Sequence, residues 1–148
     1  MDVLTLGNAM VDVLALVSDD ELTGLGLEKN VWGLLDADQA QRLYGAMPAG
    51  VEVSGGSAAN TAIGVASLGG SSQYIGKVSD DQLGEVFVHD LRSTGVTYDT
   101  AVAKNGVPTG RCLIFVTPDA HRTMRPFLGA AMSSPLRTCV RRTWRRLK

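Results

Sequence analysis

Apolar and polar positions alternate most regularly between residues 11 and 17. Val11, Val13, Ala15 and Val17 fall on one side, and Asp12, Leu14 and Leu16 on the other. A period of two predicts a strand. The short run Val3-Leu4-Thr5-Leu6, closed by the turn pair Gly7-Asn8, predicts a buried strand before it. Ser18-Asp19-Asp20-Glu21 opens a short helix with acids where the helix dipole favours them, and Gly24 or Gly26 stops it. Val31 to Leu35 reads as a further strand. Asp36 or Asp38 can cap a helix to about Met47, striped by Ala40, Leu43, Tyr44 and Met47 and ended by Pro48 and Gly50.

Ser54-Gly55-Gly56-Ser57 reads as a tight loop. A helix of small apolar residues follows it to Leu68, closed by Gly69-Gly70. Tyr74 to Val78 is a predicted strand. Asp80-Asp81 caps a helix whose Leu83, Val86, Phe87 and Leu91 keep the helical period, and Gly95 ends it. Val96 to Val102, with Lys104-Asn105-Gly106 as a hairpin turn, precedes a strong strand, Arg111 to Thr117. Pro118 to His121 is a turn, and Arg122 to Phe127 a return strand. Strand–helix–strand order between residues 50 and 100 predicts α/β layers. The hairpin-like segments on either side predict an attached antiparallel sheet.

Composition narrows the class. The 148 residues are 45% hydrophobic and 20% charged, enough for one compact domain with a core. No apolar run reaches the ~18 residues of a membrane span, and the start, Met1-Asp2-Val3-Leu4, has no basic leader region, so the expected location is the cytoplasm. Cys112 and Cys139 form no metal-type cluster with His89 or His121, and Cys112 lies in an apolar run that suits a reduced core thiol. The net charge of −1 hides a split: residues 1–119 carry −9, and residues 120–148 carry +8 with no acid at all. Such a basic end marks a nucleic-acid or membrane tail, or coding sequence read out of frame.

Two features carry candidate chemistry. Asp12 interrupts an apolar strand, and a buried carboxylate without a partner is costly. It either faces solvent on an edge strand or caps backbone amides, or it accepts hydrogen bonds from ligand hydroxyls, two at a time. Gly55-Gly56 before a helix lets backbone approach a ligand closely, and Asn60 stands early in that helix, where asparagine is a poor helix former but a versatile hydrogen-bonding group. The alternative is a plain glycine turn with a solvated Asn60. A phosphate-binding Walker loop is excluded, because Gly76-Lys77 is followed by Val78 and position 71 is serine, not glycine.

In this order, four blocks resemble the PfkB, or ribokinase-like, family of carbohydrate kinases. They are Gly7-Asn8-Ala9-Met10-Val11-Asp12, Gly55-Gly56-Ser57-Ala58-Ala59-Asn60-Thr61-Ala62 with Gly69 seven residues on, Ile75 to Gly84, and Thr109 to Val116. The resemblance runs from about Val3 to Ala131 and leans toward the adenosine-kinase-like branch. Ser79 stands where the family usually has glycine. The resemblance implies an incomplete ribokinase-like α/β sandwich with an antiparallel β lid, built from segments near 11–35 and 97–127. It implies that Asn8 and Asp12 bind sugar hydroxyls and that Gly55, Gly56 and Asn60 close over the same sugar. The acceptor would be a small sugar or nucleoside, and lid sheets of this kind can pair two subunits.

ATP and Mg2+ serve the full-length family. Its second half supplies a Gly-Ala-Gly-Asp-like motif whose aspartate acts as base, and no such motif occurs in these residues. The expectation is therefore an acceptor-binding fragment without its own ATP or Mg2+ site and without a nameable catalytic base. A marginal or partner-dependent fold is expected, because a doubly wound sheet needs its later strands as cover. The segment 132–148 departs from the family pattern. It reads first as an out-of-frame tail, then as a basic nucleic-acid-binding end with Trp144 to stack, then as a solvated helix.

Overall fold

The computed structural model describes residues 1–104 and 106–133. The expectations for Asn105, Cys139 and most of the basic end therefore fall outside the described residues. The chain folds into a base and a lid. In the base, strand β1 (Val3–Leu6) pairs in parallel with β4 (Ser72–Ile75). The base also holds helices α3 (Ser57–Ser67) and α4 (Gln82–Ser93). The lid is a four-stranded sheet ordered β3 (Val51–Gly55), β2 (Met10–Leu16), β5 (Gly110–Val116) and β6 (Arg122–Phe127). Short helices α1 (Asp19–Gly24) and α2 (Ala37–Ala46) connect its strands, and a 3-10 turn, Gly129–Ser133, follows β6.

Local chemistry sets most boundaries. Ser18 caps α1 and Asp36 caps α2, each in a reciprocal box with the residue three places on, Glu21 and Gln39. Asp81 caps α4 through the Gly84 amide. The alternation along β2 falls as read: Val11, Val13 and Ala15 are buried, while Leu16 is 82% exposed. Lys29 bridges Asp19 and Asp119 and so ties the start of α1 to the turn between β5 and β6. The Lys29 ammonium and the Thr117 hydroxyl hold the Asp119 carboxyl below its ordinary range.

Four expectations need correction. Val51–Gly55 is a strand running into the glycine pair, not part of a loop. Residues 31–35 run beside β6 with a single bridge, Trp32 to Met124, rather than as a strand. Residues 96–102 make no hairpin with β5; Thr97 and Ala103 bridge in parallel to Gln73 and Ser79, so this segment extends the base and not the lid. The lid is also antiparallel only in its outer pairs, β2–β3 and β5–β6, because its central pair β2–β5 is parallel. The reason is topological: β2 and β5 both leave the base, while β3 and β6 both return to it.

Candidate functional site

The predicted residues gather where the lid meets the base. Asn8 sits on the link between β1 and β2, and Asp12 on β2, an interior strand and not the edge strand that the solvent-facing reading required. Met10 pairs with Gly55 across the β2–β3 ladder, and Asp12 shares Met10's face. That register sets the Asp12 carboxylate directly against Gly55. A Cβ added at Gly55 would fall onto the carboxylate, 2.5 Å from Oδ1. Gly56 has a φ of +91°, a left-handed value that disfavours any side chain, and a Cβ there would come 2.9 Å from the Asn8 carbonyl oxygen.

Two close pairs result, Asp12 with Gly55 and Asn8 with Gly56. Asn60 lies in the first turn of α3 with its amide bonded to the Gly56 carbonyl, and its side chain is exposed. The structure thus brings Asn8, Asp12, Gly55 and Gly56 together and places Asn60 next along the same helix start.

Asp12 is half-buried, and among the described residues no hydrogen bond or ion pair reaches its carboxylate. Burial pushes its pKa up, with no compensating partner. Cys112, paired with Asp12 across β5, is buried, and its thiol is pushed up to about 12 by burial and then by the Asp12 charge, which suits core packing and not reactivity.

On the same lid face, the row next to Asp12 is apolar. Register aligns Val51, Leu14, Ile114, Met124 and Trp32 in one row across the sheet. Ile114 is buried at its middle, and Val51 and Trp32 are 67% and 61% exposed at its ends. A single carboxylate at the root of an apolar platform can hold a ligand that has hydroxyls at one end and an apolar ring at the other. A separate cavity of about 680 Å³ runs along α4 past Glu85, Val88, Arg92 and Tyr98, and none of Asn8, Asp12, Gly55, Gly56 or Asn60 lines it.

Sequence reasoning missed the anchors of the site. Asp90 of α4 accepts a hydrogen bond from the Ser54 amide at 2.8 Å, just before the glycine pair. Asp81 binds Thr109 as well as capping α4. Asp81 was legible as a cap, but nothing local marks its bond to a residue 28 positions away.

No three His, Cys, Asp or Glu side chains come together to hold a metal ion among the described residues. Likewise, no helix among them is long and apolar enough to cross a membrane.

The glycine contacts give one direct test. Gly55→Ala is expected to weaken ligand binding at Asp12 at least tenfold and to cost about 1–3 kcal/mol of stability through overpacking. Gly45→Ala, in α2 with nothing within 4 Å of its added Cβ, is expected to be neutral or stabilising. Equal losses in the two variants, read by calorimetry and thermal melting, would remove the Asp12–Gly55 contact from the site.

Residues 31–137 match the pfkB family carbohydrate kinase profile. Adenosine kinase of Saccharomyces cerevisiae is 32% identical over 136 residues, covering 86% of this chain and 39% of the yeast protein. Fructokinase-1 of Oryza sativa is 37% identical over 75 residues, 51% of this chain and 23% of that protein. The crystal structure of adenosine kinase from Sinorhizobium meliloti superposes with a TM-score of 0.79 at 52% identity, over 88% of this chain and 40% of that one. A probable sugar kinase from Rhizobium etli gives 0.80 at 47% identity, over 89% and 40%. The chain therefore spans about two fifths of the solved structures, and less of several curated relatives.

Proposed function

The chain belongs to the pfkB family of carbohydrate kinases, and from that premise we propose that it forms the acceptor-binding part of an ATP-dependent kinase for a primary hydroxyl of a nucleoside or sugar. The observation that carries this reading is the Asp12 carboxylate, half-buried against Gly55 with no protein partner among the described residues. A carboxylate held this way at a cost is explained by ligand hydroxyls that donate to it. Asn8 offers a second polar group beside Gly56, and Asn60 a third at the start of α3. The apolar row from Val51 to Trp32 favours a nucleoside over a simple hexose, because a base covers apolar surface that a hexose leaves wet.

In this reading the chain's own residues bind and orient the acceptor, and the lid keeps water from it. ATP and Mg2+ enter as the co-substrate of the family reaction. The 148 residues contain no Gly-Ala-Gly-Asp-like segment. By itself the chain is expected to bind acceptor without turning over ATP.

The test is calorimetric titration of the chain with adenosine and with fructose across pH. Adenosine is expected to bind more tightly. Hydroxyls donate to the ionised carboxylate, so affinity is expected to be full above the Asp12 pKa and to fall about tenfold per pH unit below it. Burial raises that pKa, so the loss begins at higher pH than an ordinary aspartate would allow. Asp12→Asn should flatten the profile. Absence of saturable binding by either compound at millimolar concentration would overturn the proposal.

A further inference from the structure

Among the described residues, four backbone crossings join lid and base: Gly7-Asn8-Ala9 into β2, Gly55-Gly56 out of β3, Pro108-Thr109 into β5, and Leu128-Gly129 out of β6. They lie against one another. A Cβ on Gly110 would stand 2.7 Å from the Leu128 carbonyl oxygen and 2.8 Å from that of Ala9, and one on Gly129 would stand 2.9 Å from the Gly110 nitrogen. Backbone packed this closely moves together or not at all.

Helix α4 holds this bundle at two points. One is the bond from the Ser54 amide to Asp90. The other is Asp81, and here the geometry exceeds what a helix cap requires. One oxygen accepting from the Gly84 amide, at 2.9 Å, would suffice as a cap. Yet Oδ1 also accepts from the Thr109 hydroxyl at 2.6 Å, and Oδ2 accepts from the Thr109 amide at 2.8 Å. The Thr109 hydroxyl in turn accepts from the Ser79 amide at 2.9 Å. Thr109 is fully buried, so these bonds are made out of reach of competing water. Gly84 leaves no slack, since a Cβ there would come 3.2 Å from both Asp81 Oδ1 and Thr109 Oγ1.

We propose that Asp81, acting through Thr109, is a positioning residue that fixes the root of the lid on α4 and so sets where Asp12 stands over the acceptor. The path is short. Thr109 precedes Gly110, Gly110 pairs with Met10, and Met10 pairs with Gly55. Asp12 follows on the face that Met10 and Gly55 share. The acceptor part of this inference rests on the function proposed above; the anchoring part does not.

Thr109→Val removes the hydroxyl part of the anchor without touching the cap, because it keeps the side chain's shape and leaves the Asp81–Gly84 bond in place. Amide hydrogen exchange of the full chain without ligand is expected to speed up about tenfold in β2 and β5 and to stay unchanged in β1 and β4, since one buried hydroxyl network is lost at the root. Thr109→Ser, which keeps the hydroxyl, should restore the parent pattern. Adenosine affinity should fall in Thr109→Val and return in Thr109→Ser. If Thr109→Val does not fold, Asp81→Asn is measured instead, since it turns one acceptor oxygen into a donor and is expected to give the same selective pattern. Unchanged exchange, or an equal rise in lid and base, would overturn the inference. Should the parent bind neither adenosine nor fructose, the exchange pattern still decides the anchoring role, while the functional reading fails on its own.

Discussion

Asp12→Ala is expected to weaken acceptor binding by about 3 kcal/mol, roughly a hundredfold in Kd, while leaving the melting temperature at neutral pH unchanged or higher. The two halves of this result come from one cause. Burial raises the Asp12 pKa, and no partner offsets it. Below the unfolded-state pKa both states hold the proton and the carboxyl costs nothing. As pH rises through the folded pKa, the folded state must accept a buried charge, and the cost is then fully present at neutral pH. Removing the carboxylate removes that cost, so stability should not suffer. Binding loses the charge-assisted hydrogen bonds from ligand hydroxyls, each stronger than a neutral bond. A purely structural aspartate would behave in the opposite way, with lower stability in the variant. Calorimetry with adenosine, together with thermal melting of parent and variant, separates the two. A variant that melts well below the parent and binds as tightly would show that Asp12 belongs to the fold and not to the site.

The parts of the fold legible in the sequence were those set by neighbours along the chain. Val11, Val13 and Ala15 alternate because one face of β2 is buried, and that needs no knowledge of the partner strands. Ser18, Asp36 and Asp81 cap their helices with amides three residues on. Pairing was not legible. The segment after Gly95 is extended and apolar in sequence, which fits either sheet, and its place beside β4 is set by backbone bonds from Thr97 and Ala103 to residues more than twenty positions away. β3 escaped notice because its five residues include Glu52, Ser54 and Gly55, and its strand character comes from the β2 ladder. The site divides in the same way. The residue types that could bind a sugar were visible at Asp12, Gly55, Gly56 and Asn60, and Asn8 was implied by the family resemblance, but the contact of Asp12 with Gly55 depends on a register that no local pattern encodes. Thr109 stood out only as the first residue of a family-like block, because its bonds exist only through Asp81.

The largest loss of stability is expected from Phe87→Ala, about 4 kcal/mol, which for a chain of this size lowers the melting temperature by about 10 °C. Phe87 is fully buried and stands between two tyrosines, with ring centroids 5.5 Å from Tyr74 and 6.0 Å from Tyr98. The three rings join α4 to β4 and to the extended segment after Gly95. Truncation would take the ring out of a dry core and leave a cavity that the tyrosines are poorly placed to fill. Their hydroxyls are committed, Tyr74 to the Gly7 carbonyl and Tyr98 to the Gly76 carbonyl, each at 2.9 Å. Phe87→Leu keeps most of the volume and should cost about 1–1.5 kcal/mol. The Tyr74 bond carries the effect toward the site, because Gly7 immediately precedes Asn8. Below its melting temperature, Phe87→Ala is therefore expected to bind acceptor more weakly than Phe87→Leu. Circular-dichroism melts and adenosine titrations of the two variants at 15 °C would check both points. If the alanine and leucine variants melt within about 1 °C of each other, the aromatic cluster does not hold the base together, and the route from α4 to Asn8 fails with it.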